Sequence, residues 1–394
     1  MYQLMREVFH AMKKKAVCLL LGCLILFSSA LAAPLEAAPP LELQSPSYLL
    51  MEESTGEIIC EKNADERRPV ASVTKLMTLL LTFEALEDGS VRLGDSVTCS
   101  KNAAGMGGSQ ALLDAGSQYK LEDLLRSTII ASANDSAVAL AEHIAGTEEN
   151  FVDRMNARAA QLGMNDTAYQ NCTGLPAKGQ FTTARDVATL SREMANHPDY
   201  FKYSTVWMDT LTHPGGRVTD LTNTNRLVRF YQGCDGFKTG STNEARYCIS
   251  ATARQGDMRL IAVVLGAPAS LTRFNEARKL LEYGFASYQL LEVCSQGDLL
   301  EQNVSVSRGG ADAVGVAAGE TAKLLVKKGA EKGLSLQVAL PETVKAPVRR
   351  NEVLGEIRVV KDGNIVRTLP AVAAGDVAMP GYLEALIRIL NGWR

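Results

Sequence analysis

The sequence predicts an α+β protein of two domains, and three observations support this prediction. The chain has 394 residues, 46% of them hydrophobic, so it can bury a large core and exceeds the usual size of one domain. Strand and helix patterns are mixed through residues 47–292, which favours a first domain with an antiparallel sheet and flanking helices. Short Val-rich runs separated by glycine turns fill residues 293–376 and predict a small all-β domain, a β-sandwich.

The segment before the first domain has the composition of a targeting sequence. Basic residues ending at Lys15 precede the apolar run 16–27, and a small-x-small cleavage site follows that run. This order predicts a signal peptide over residues 1–32. A retained membrane anchor is the alternative, but a run of 12 apolar residues is short for a span. Residues 33–46, rich in Ala and Pro, are expected to form a flexible lead.

The elements of the first domain follow from periodicity and from the residues that punctuate it. A helix is predicted to open near Ser72, after Pro69, and to stop at Asp88-Gly89; its apolar residues surround the axis, so it belongs in a core. The further predictions are a strand pair in 47–62, helices at 121–130, 136–145, 150–162, 184–195 and 274–291, and a β-hairpin from 247–252 and 260–265.

In the second domain, Asp362-Gly363 is a strong hairpin signal. Strands are predicted at 303–307, 322–327, 335–339, 353–360 and 365–369. Residues 377–394 predict an amphipathic helix that is too short to span a bilayer. It could lie in a membrane interface or pack on the β domain.

Composition excludes several classes of function. The net charge of -3 argues against a nucleic-acid partner. The four histidines form no HExxH pattern, so a Ser-His-Asp triad or a histidine metal site is not expected, and neither is a cofactor. Six cysteines lie beyond residue 32 without CxxC spacing, and the sequence does not pair them.

The first turn of the predicted central helix carries Ser72 and Lys75. Residues three apart lie on one side of a helix, near its positive end. A serine hydroxyl is a poor nucleophile unless a base sits against it, and a neutral lysine can be that base. The Ser-x-x-Lys pattern alone is weak evidence, because Ser117 and Lys120 repeat it.

Two more motifs follow in the chain. Ser132-x-Asn134 interrupts two helical patterns, where a plain helix cap is the alternative interpretation, and Lys238-Thr239-Gly240 leads into a strand. The order Ser-x-x-Lys, Ser-x-Asn, Lys-Thr-Gly, each in this structural context, is specific even though each motif alone is weak. The chain resembles the low-molecular-mass penicillin-binding proteins that act as D-alanyl-D-alanine carboxypeptidases (serine peptidase family S11).

This resemblance implies a penicillin-binding/β-lactamase-like transpeptidase domain and a set of residue roles. It implies Ser72 as nucleophile, Lys75 as general base and Ser132 as proton relay. The residues implied in substrate binding are Asn134 for the substrate amide, the Ser72 and Ser241 N–H groups for the oxyanion, and Lys238, Thr239, Gly240 and Arg273 around the terminal carboxylate. For Arg273 the alternative is a surface cap of the following helix, and Arg226 is a further candidate for the cleft.

The family also implies the reaction. It is removal of the terminal D-alanine from peptidoglycan pentapeptide stems through an acyl-enzyme, at the outer face of the cytoplasmic membrane or in the cell-wall space, with β-lactams as covalent inhibitors and the C-terminal helix on the membrane surface. A DD-endopeptidase of the same family is one alternative, and a catalytically idle penicillin-binding scaffold is a second, which the intact Ser72, Lys75, Ser132 and Lys238 disfavour. A class A-like β-lactamase is another, but residues 140–235 contain no Glu-Leu-Asn that would supply its deacylating glutamate.

Overall fold

The structure, a computed structural model, describes residues 41–382, 386 and 387. Its helices are α1 (Lys75–Glu87), α2 (Lys101–Ala104), α3 (Leu121–Ile130), α4 (Asn134–Ala145), α5 (Glu148–Gln161), α6 (Ala184–Ala195), α7 (Tyr200–Ser204), α8 (Leu227–Phe230) and α9 (Ser270–Ser287), with a 3-10 turn at Ala71–Thr74. Its strands are β1 (Ser47–Glu52), β2 (Ile58–Lys62), β3 (Ser96–Thr98), β4 (Gln118–Lys120), β5 (Met208–Thr212), β6 (Val218–Thr222), β7 (Cys234–Thr242), β8 (Arg246–Gln255), β9 (Met258–Ala267), β10 (Tyr288–Cys294), β11 (Leu299–Ser307), β12 (Ala313–Ala318), β13 (Ala322–Lys327), β14 (Leu334–Ala339), β15 (Thr343–Lys345), β16 (Val353–Lys361) and β17 (Asn364–Ala373).

The first domain is built on a five-stranded antiparallel sheet in the order β2-β1-β9-β8-β7. Helix α9 packs on β8 and β9, and α6 packs on β1 and β9. Helix α1 lies within the core against α4 and α6, as its apolar composition predicts, because nine of its 13 residues are buried. The predicted helices at 121–130 and 184–195 are confirmed residue for residue. The α+β class is therefore confirmed.

Two predictions at the sheet need correction. The Lys-Thr-Gly motif does not precede the hairpin; it lies inside β7, the edge strand, where Lys238 pairs with Ser250. The helix predicted to reach Leu291 ends at Ser287, because the next residues form β10, in which Leu291 pairs with Leu324 of β13. The domain boundary expected after residue 292 therefore falls inside a strand.

The end of the expected flexible lead is fixed on the first domain. Ser45 is fully buried, and the carboxylate of Glu276 on α9 accepts hydrogen bonds from its hydroxyl and from the backbone N–H groups of Gln44 and Ser45. A buried carboxylate needs such donors to offset its lost hydration. The expectation of flexibility was thus wrong for residues 44–46, while residues 33–40 lie outside the described part of the chain.

The second domain contains a six-stranded sheet in the order β14-β16-β17-β12-β11-β15 and the β10–β13 pair. The predicted hairpin at Asp362-Gly363 is confirmed, with φ of 49° and 82°, the left-handed geometry of a tight turn. Strands β12 and β15 were not predicted, because their small residues and short length give a weak pattern. Val377 bridges Val348, so β structure continues to the position where the terminal helix was expected to start.

Most of the predicted helix at 377–394 lies outside the described residues. Within the described part of the chain, no helix has the length and hydrophobicity needed to cross a membrane.

Candidate active site

Ser72 and Lys75 meet at the entrance to α1. Ser72 lies in the 3-10 turn that precedes the helix, and the Nζ atom of Lys75, the first residue of the helix, is 3.0 Å from the Ser72 Oγ atom. Ala71 has a φ of 50°, an uncommon backbone conformation for a residue with a side chain. Backbone strain of this kind is concentrated at functional sites.

Lys75 is completely buried and surrounded by acceptors. Its Nζ atom donates to Asn134 Oδ1 at 2.5 Å and to the Thr173 backbone carbonyl at 2.7 Å. Burial lowers the pKa of Lys75 to about 7, although Cys172 and Asp135 act in the opposite direction. A lysine with this pKa is largely neutral just above neutral pH, which a general base requires.

Ser132 and Lys238 form a second pair beside the first. Ser132 has a φ of 62° and connects α3 to α4, so its side chain leaves the chain between two helices. Lys238 Nζ donates to Ser132 Oγ at 2.6 Å, and both residues are buried. Burial and the positive charges of Lys75 and Arg273 hold the pKa of Lys238 well below its ordinary value.

Asn134 does not present a free amide to the cleft. Its Oδ1 atom accepts from Lys75, and its Nδ2 atom donates to the Gly107 carbonyl at 2.6 Å. The residue is buried at the start of α4, where its backbone N–H donates to Ser109. The side chain expected to hold the substrate amide thus orients Lys75.

Two glycines lie directly against the Ser72 turn. A Cβ atom at Gly240 would lie 2.3 Å from the Val70 carbonyl and 2.9 Å from the Ser72 nitrogen. At Gly174, where φ is +83°, a Cβ atom would lie 2.0 Å from the Ala71 carbonyl. Real side chains do not reach such distances, so both positions require glycine and hold the backbone of the Ser72 turn from two sides.

Arg273 is buried against the Lys-Thr-Gly strand. Its Nη1 atom donates to the Gly240 carbonyl at 2.8 Å, so the alternative of a surface cap is wrong. Burial lowers the pKa of Arg273 to about 10, and the neighbouring charge of Arg226 acts in the same direction. Arg226 and Ser241 are exposed. Direct contacts or electrostatic interactions therefore connect six of the predicted site residues: Ser72, Lys75, Ser132, Asn134, Lys238 and Arg273.

The motifs did not reveal several neighbours of this set. Thr239 donates its hydroxyl proton to Thr224 at 2.8 Å, and the Thr173 carbonyl contacts Lys75. Thr173 acts through its backbone, which leaves no signal in residue type. Thr224 comes from the Asn-Thr-Asn segment 223–225, whose two buried asparagines were the available hint of a fixed loop. Among the described residues, no group of three or more His, Cys, Asp and Glu side chains could hold a metal ion.

Comparison with known proteins identifies the family. Residues 33–269 match the D-alanyl-D-alanine carboxypeptidase family, Peptidase S11, and residues 288–379 match the C-terminal domain of penicillin-binding protein 5. D-alanyl-D-alanine carboxypeptidase DacF of Bacillus subtilis (strain 168) is 35% identical over 386 residues, covering 97% of this chain and 99% of that protein. DacC of Escherichia coli (strain K12) is 34% identical over 370 residues, covering 89% and 90%.

A solved structure supports the same assignment. Penicillin-binding protein 5 from Haemophilus influenzae aligns with a TM-score of 0.77 and 30% identity, covering 87% of this chain and 100% of that one. Since the Peptidase S11 match covers more than half of the chain and DacF aligns over both domains, the chain belongs to the D-alanyl-D-alanine carboxypeptidases of family S11, the low-molecular-mass penicillin-binding proteins.

Proposed function

We propose that Ser72 is the nucleophile of this serine D-Ala-D-Ala carboxypeptidase and that neutral Lys75 is its general base. The observation that carries the proposal is the 3.0 Å contact between Ser72 Oγ and the buried Lys75 Nζ, whose pKa burial lowers to about 7. The Ser117 to Lys120 copy of the motif lacks these features, because Lys120 is exposed at the end of β4, immediately before α3. Only the first copy combines a base with a dry environment.

The reaction proceeds in two steps. Ser72 Oγ attacks the carbonyl carbon of the penultimate D-alanine while Lys75 accepts the hydroxyl proton. The tetrahedral intermediate collapses to an acyl-enzyme, and the terminal D-alanine leaves after its nitrogen takes a proton from Lys75 through Ser132. Water then attacks the ester, which releases the shortened stem and restores Ser72.

Charge development requires fixed donors. The backbone N–H groups of Ser72 and Ser241 form the oxyanion hole, and Gly240 lets the two segments approach closely enough. Lys238, Thr239 and Arg273 receive the terminal carboxylate, while Asn134, whose amide is engaged by Lys75 and by the Gly107 carbonyl, orients the base instead of the expected substrate amide. The buried Arg273 Nε atom, which has no hydrogen-bond partner among the described residues, supports this assignment. A bound carboxylate favours the protonated form of Lys238.

The direct test is D-alanine release from diacetyl-Lys-D-Ala-D-Ala by the purified protein and by its Ser72→Ala variant. Both proteins are also labelled with penicillin. If D-alanine release and penicillin labelling both disappear in the variant, the result supports the carboxypeptidase activity and Ser72 as its nucleophile. Labelling of the wild type without release would instead favour the endopeptidase or the idle binding scaffold, and cross-linked muropeptide would be the next substrate. Rapid turnover of penicillin would favour the β-lactamase alternative.

We also propose that residues 1–32 direct export and that residues 377–394 hold the protein on the membrane surface. The basic and apolar order of the N-terminus and the amphipathic pattern of the C-terminus support this placement. Removal of residues 380–394 should leave the protein in the supernatant of sedimented anionic vesicles with unchanged peptide hydrolysis. A truncated protein that still sediments with the vesicles contradicts the anchor.

A further inference from the structure

The loop after Tyr169 is closed by the side chain of Asn171. Its Oδ1 atom accepts from the Gly174 N–H at 2.7 Å, from the Thr173 hydroxyl at 3.1 Å and from the Thr173 N–H at 3.2 Å. Its Nδ2 atom donates to the Leu175 carbonyl at 2.9 Å. One amide therefore satisfies four groups on three residues, 173–175, and fixes the orientation of the peptide that follows Thr173.

This fixed peptide is the one that contacts Lys75. The Thr173 carbonyl accepts from Lys75 Nζ at 2.7 Å, and the preceding carbonyl, that of Cys172, accepts from Thr78 Oγ1 of α1 at 2.6 Å. On its other side, the loop presses Gly174 against the Ala71 carbonyl. The loop is thus attached both to the helix that carries Lys75 and to the turn that carries Ser72.

The contact between the Thr173 carbonyl and Lys75 Nζ determines where the lone pair of a neutral Lys75 amine points. A neutral lysine amine has two N–H groups and one lone pair. Asn134 Oδ1 and the Thr173 carbonyl can only accept here, since Asn134 Nδ2 is committed to Gly107, so they take both hydrogens. The lone pair is then left for the third neighbour, the Ser72 hydroxyl at 3.0 Å.

We propose that Asn171 is a positioning residue, which holds the Thr173 carbonyl so that the lone pair of Lys75 faces the Ser72 hydroxyl. This inference rests on the proposed role of Lys75 as the base. The other charged or titratable groups that act on Lys75 come from three elements: Lys238 of β7, Asp135 of α4 and Cys172 of the loop itself. Asn171 is neutral and changes the amine only through the carbonyl it fixes.

The test is the second-order rate constant for acylation by benzylpenicillin as a function of pH. Asn171→Ala frees the Thr173 carbonyl, so the plateau at high pH should fall about tenfold because the lone pair is no longer directed. Loss of an acceptor also disfavours the protonated amine, so the acidic limb should move about one pH unit lower. Asn171→Asp keeps the acceptor oxygen and should restore the plateau to within about threefold.

The matched control is Asn156→Ala. Asn156 holds the same stretch of chain two residues earlier, with Oδ1 accepting from the Tyr169 N–H at 2.9 Å, but it contacts neither Thr173 nor Lys75. The Asn156→Ala variant should have a lower melting temperature but an unshifted acidic limb in the pH profile of acylation. If Asn171→Ala does not fold, Asn171→Ser is the replacement, with a shift in the same direction.

Three outcomes overturn the inference: an unshifted limb with a wild-type plateau in the folded Asn171 variant, an Asp variant as slow as the Ala variant, or an equal shift in Asn156→Ala. A wild-type protein that penicillin does not acylate at any pH would refute the proposed function itself.

Discussion

The two domains treat charge in opposite ways. The first domain buries Lys75, Lys238 and Arg273 around one cleft, with exposures of 0%, 1% and 7%. In the second domain the core consists of apolar side chains such as Val316 and Ile357, and no charged or polar side chain is buried among its described residues from 288 on. Burying a charged group is unfavourable in free energy unless the group is paired or neutralised. The first domain therefore carries a desolvation penalty that is absent from the core of the second domain.

This difference indicates where the chemistry resides. In the cleft, that cost appears as lowered pKa values, and a lysine with a lowered pKa can accept a proton at neutral pH. The second domain has the simple core of a structural unit. We therefore expect substitutions in the cleft to change activity far more than stability. Substitutions in the second domain should change stability far more than activity.

The largest expected effect is that of Lys75→Ala. Without the base, acylation by penicillin should fall by about 10²- to 10⁴-fold, because a positioned general base contributes on that order. Lys120→Ala, in the second copy of the motif, is the matched control and should react at the wild-type rate. Stopped-flow or gel-based labelling measures both, and equal losses would break the assignment of the base.

A smaller loss is expected from Gly240→Ala. The new Cβ atom would lie 2.3 Å from the Val70 carbonyl, so β7 and the Ser72 turn must separate. Loss of one oxyanion donor costs about 10²- to 10³-fold in kcat, which is the drop expected for D-alanine release. Gly94→Ala, where nothing lies within 4 Å of the new Cβ atom, should release D-alanine at the wild-type rate. A fully active Gly240→Ala enzyme would show that the two segments need not touch.

The next effect in size is the change of the acylation rate with pH, which should be smaller than the loss in Gly240→Ala. The pKa of Lys75 is lowered to about 7, so raising the pH through 7 increases the neutral fraction and the acylation rate. Below that pH, the rate should fall about tenfold per unit. Benzylpenicillin acylation between pH 5 and 9 measures this limb. A rate that stays flat down to pH 5 would mean that Lys75 is not the base.

The smallest effect on activity is expected in the second domain. Ile357→Ala removes a fully buried side chain and should lower the free energy of unfolding by about 2–5 kcal/mol, while labelling of Ser72 changes less than about twofold. Ile365→Ala, at an exposed position, is the control for stability. Urea unfolding measures the first quantity. A strong loss of labelling in folded Ile357→Ala would make the second domain part of the site.

Much of this site follows from the sequence because its key residues come in short motifs. Ser72 with Lys75, and Ser132 with Asn134, are near neighbours in the chain, so local periodicity places them at helix ends. The position of Lys-Thr-Gly inside β7 was missed because its glycine and its polar residues weaken a strand pattern. That glycine is required by the long-range contact with the Ser72 turn, which sequence periodicity does not record.

The remaining features depend on contacts distant in sequence. Helix α9 was predicted to extend to Leu291, since Tyr288–Leu291 continue its apolar pattern, yet β13 pairs with them. The Thr173 carbonyl reaches Lys75 across 98 residues through a backbone atom that every residue type has. Such tertiary pairing overrides local propensity, and only the fold reveals it.

The most direct test of the central claim is to locate the covalent adduct. The purified protein is treated with benzylpenicillin, digested, and its peptides are sequenced by mass spectrometry. We expect one penicilloyl group, on Ser72, and none in the Ser72→Ala variant. An adduct on Ser117 or Ser132, or an adduct that persists in the variant, would contradict this expectation.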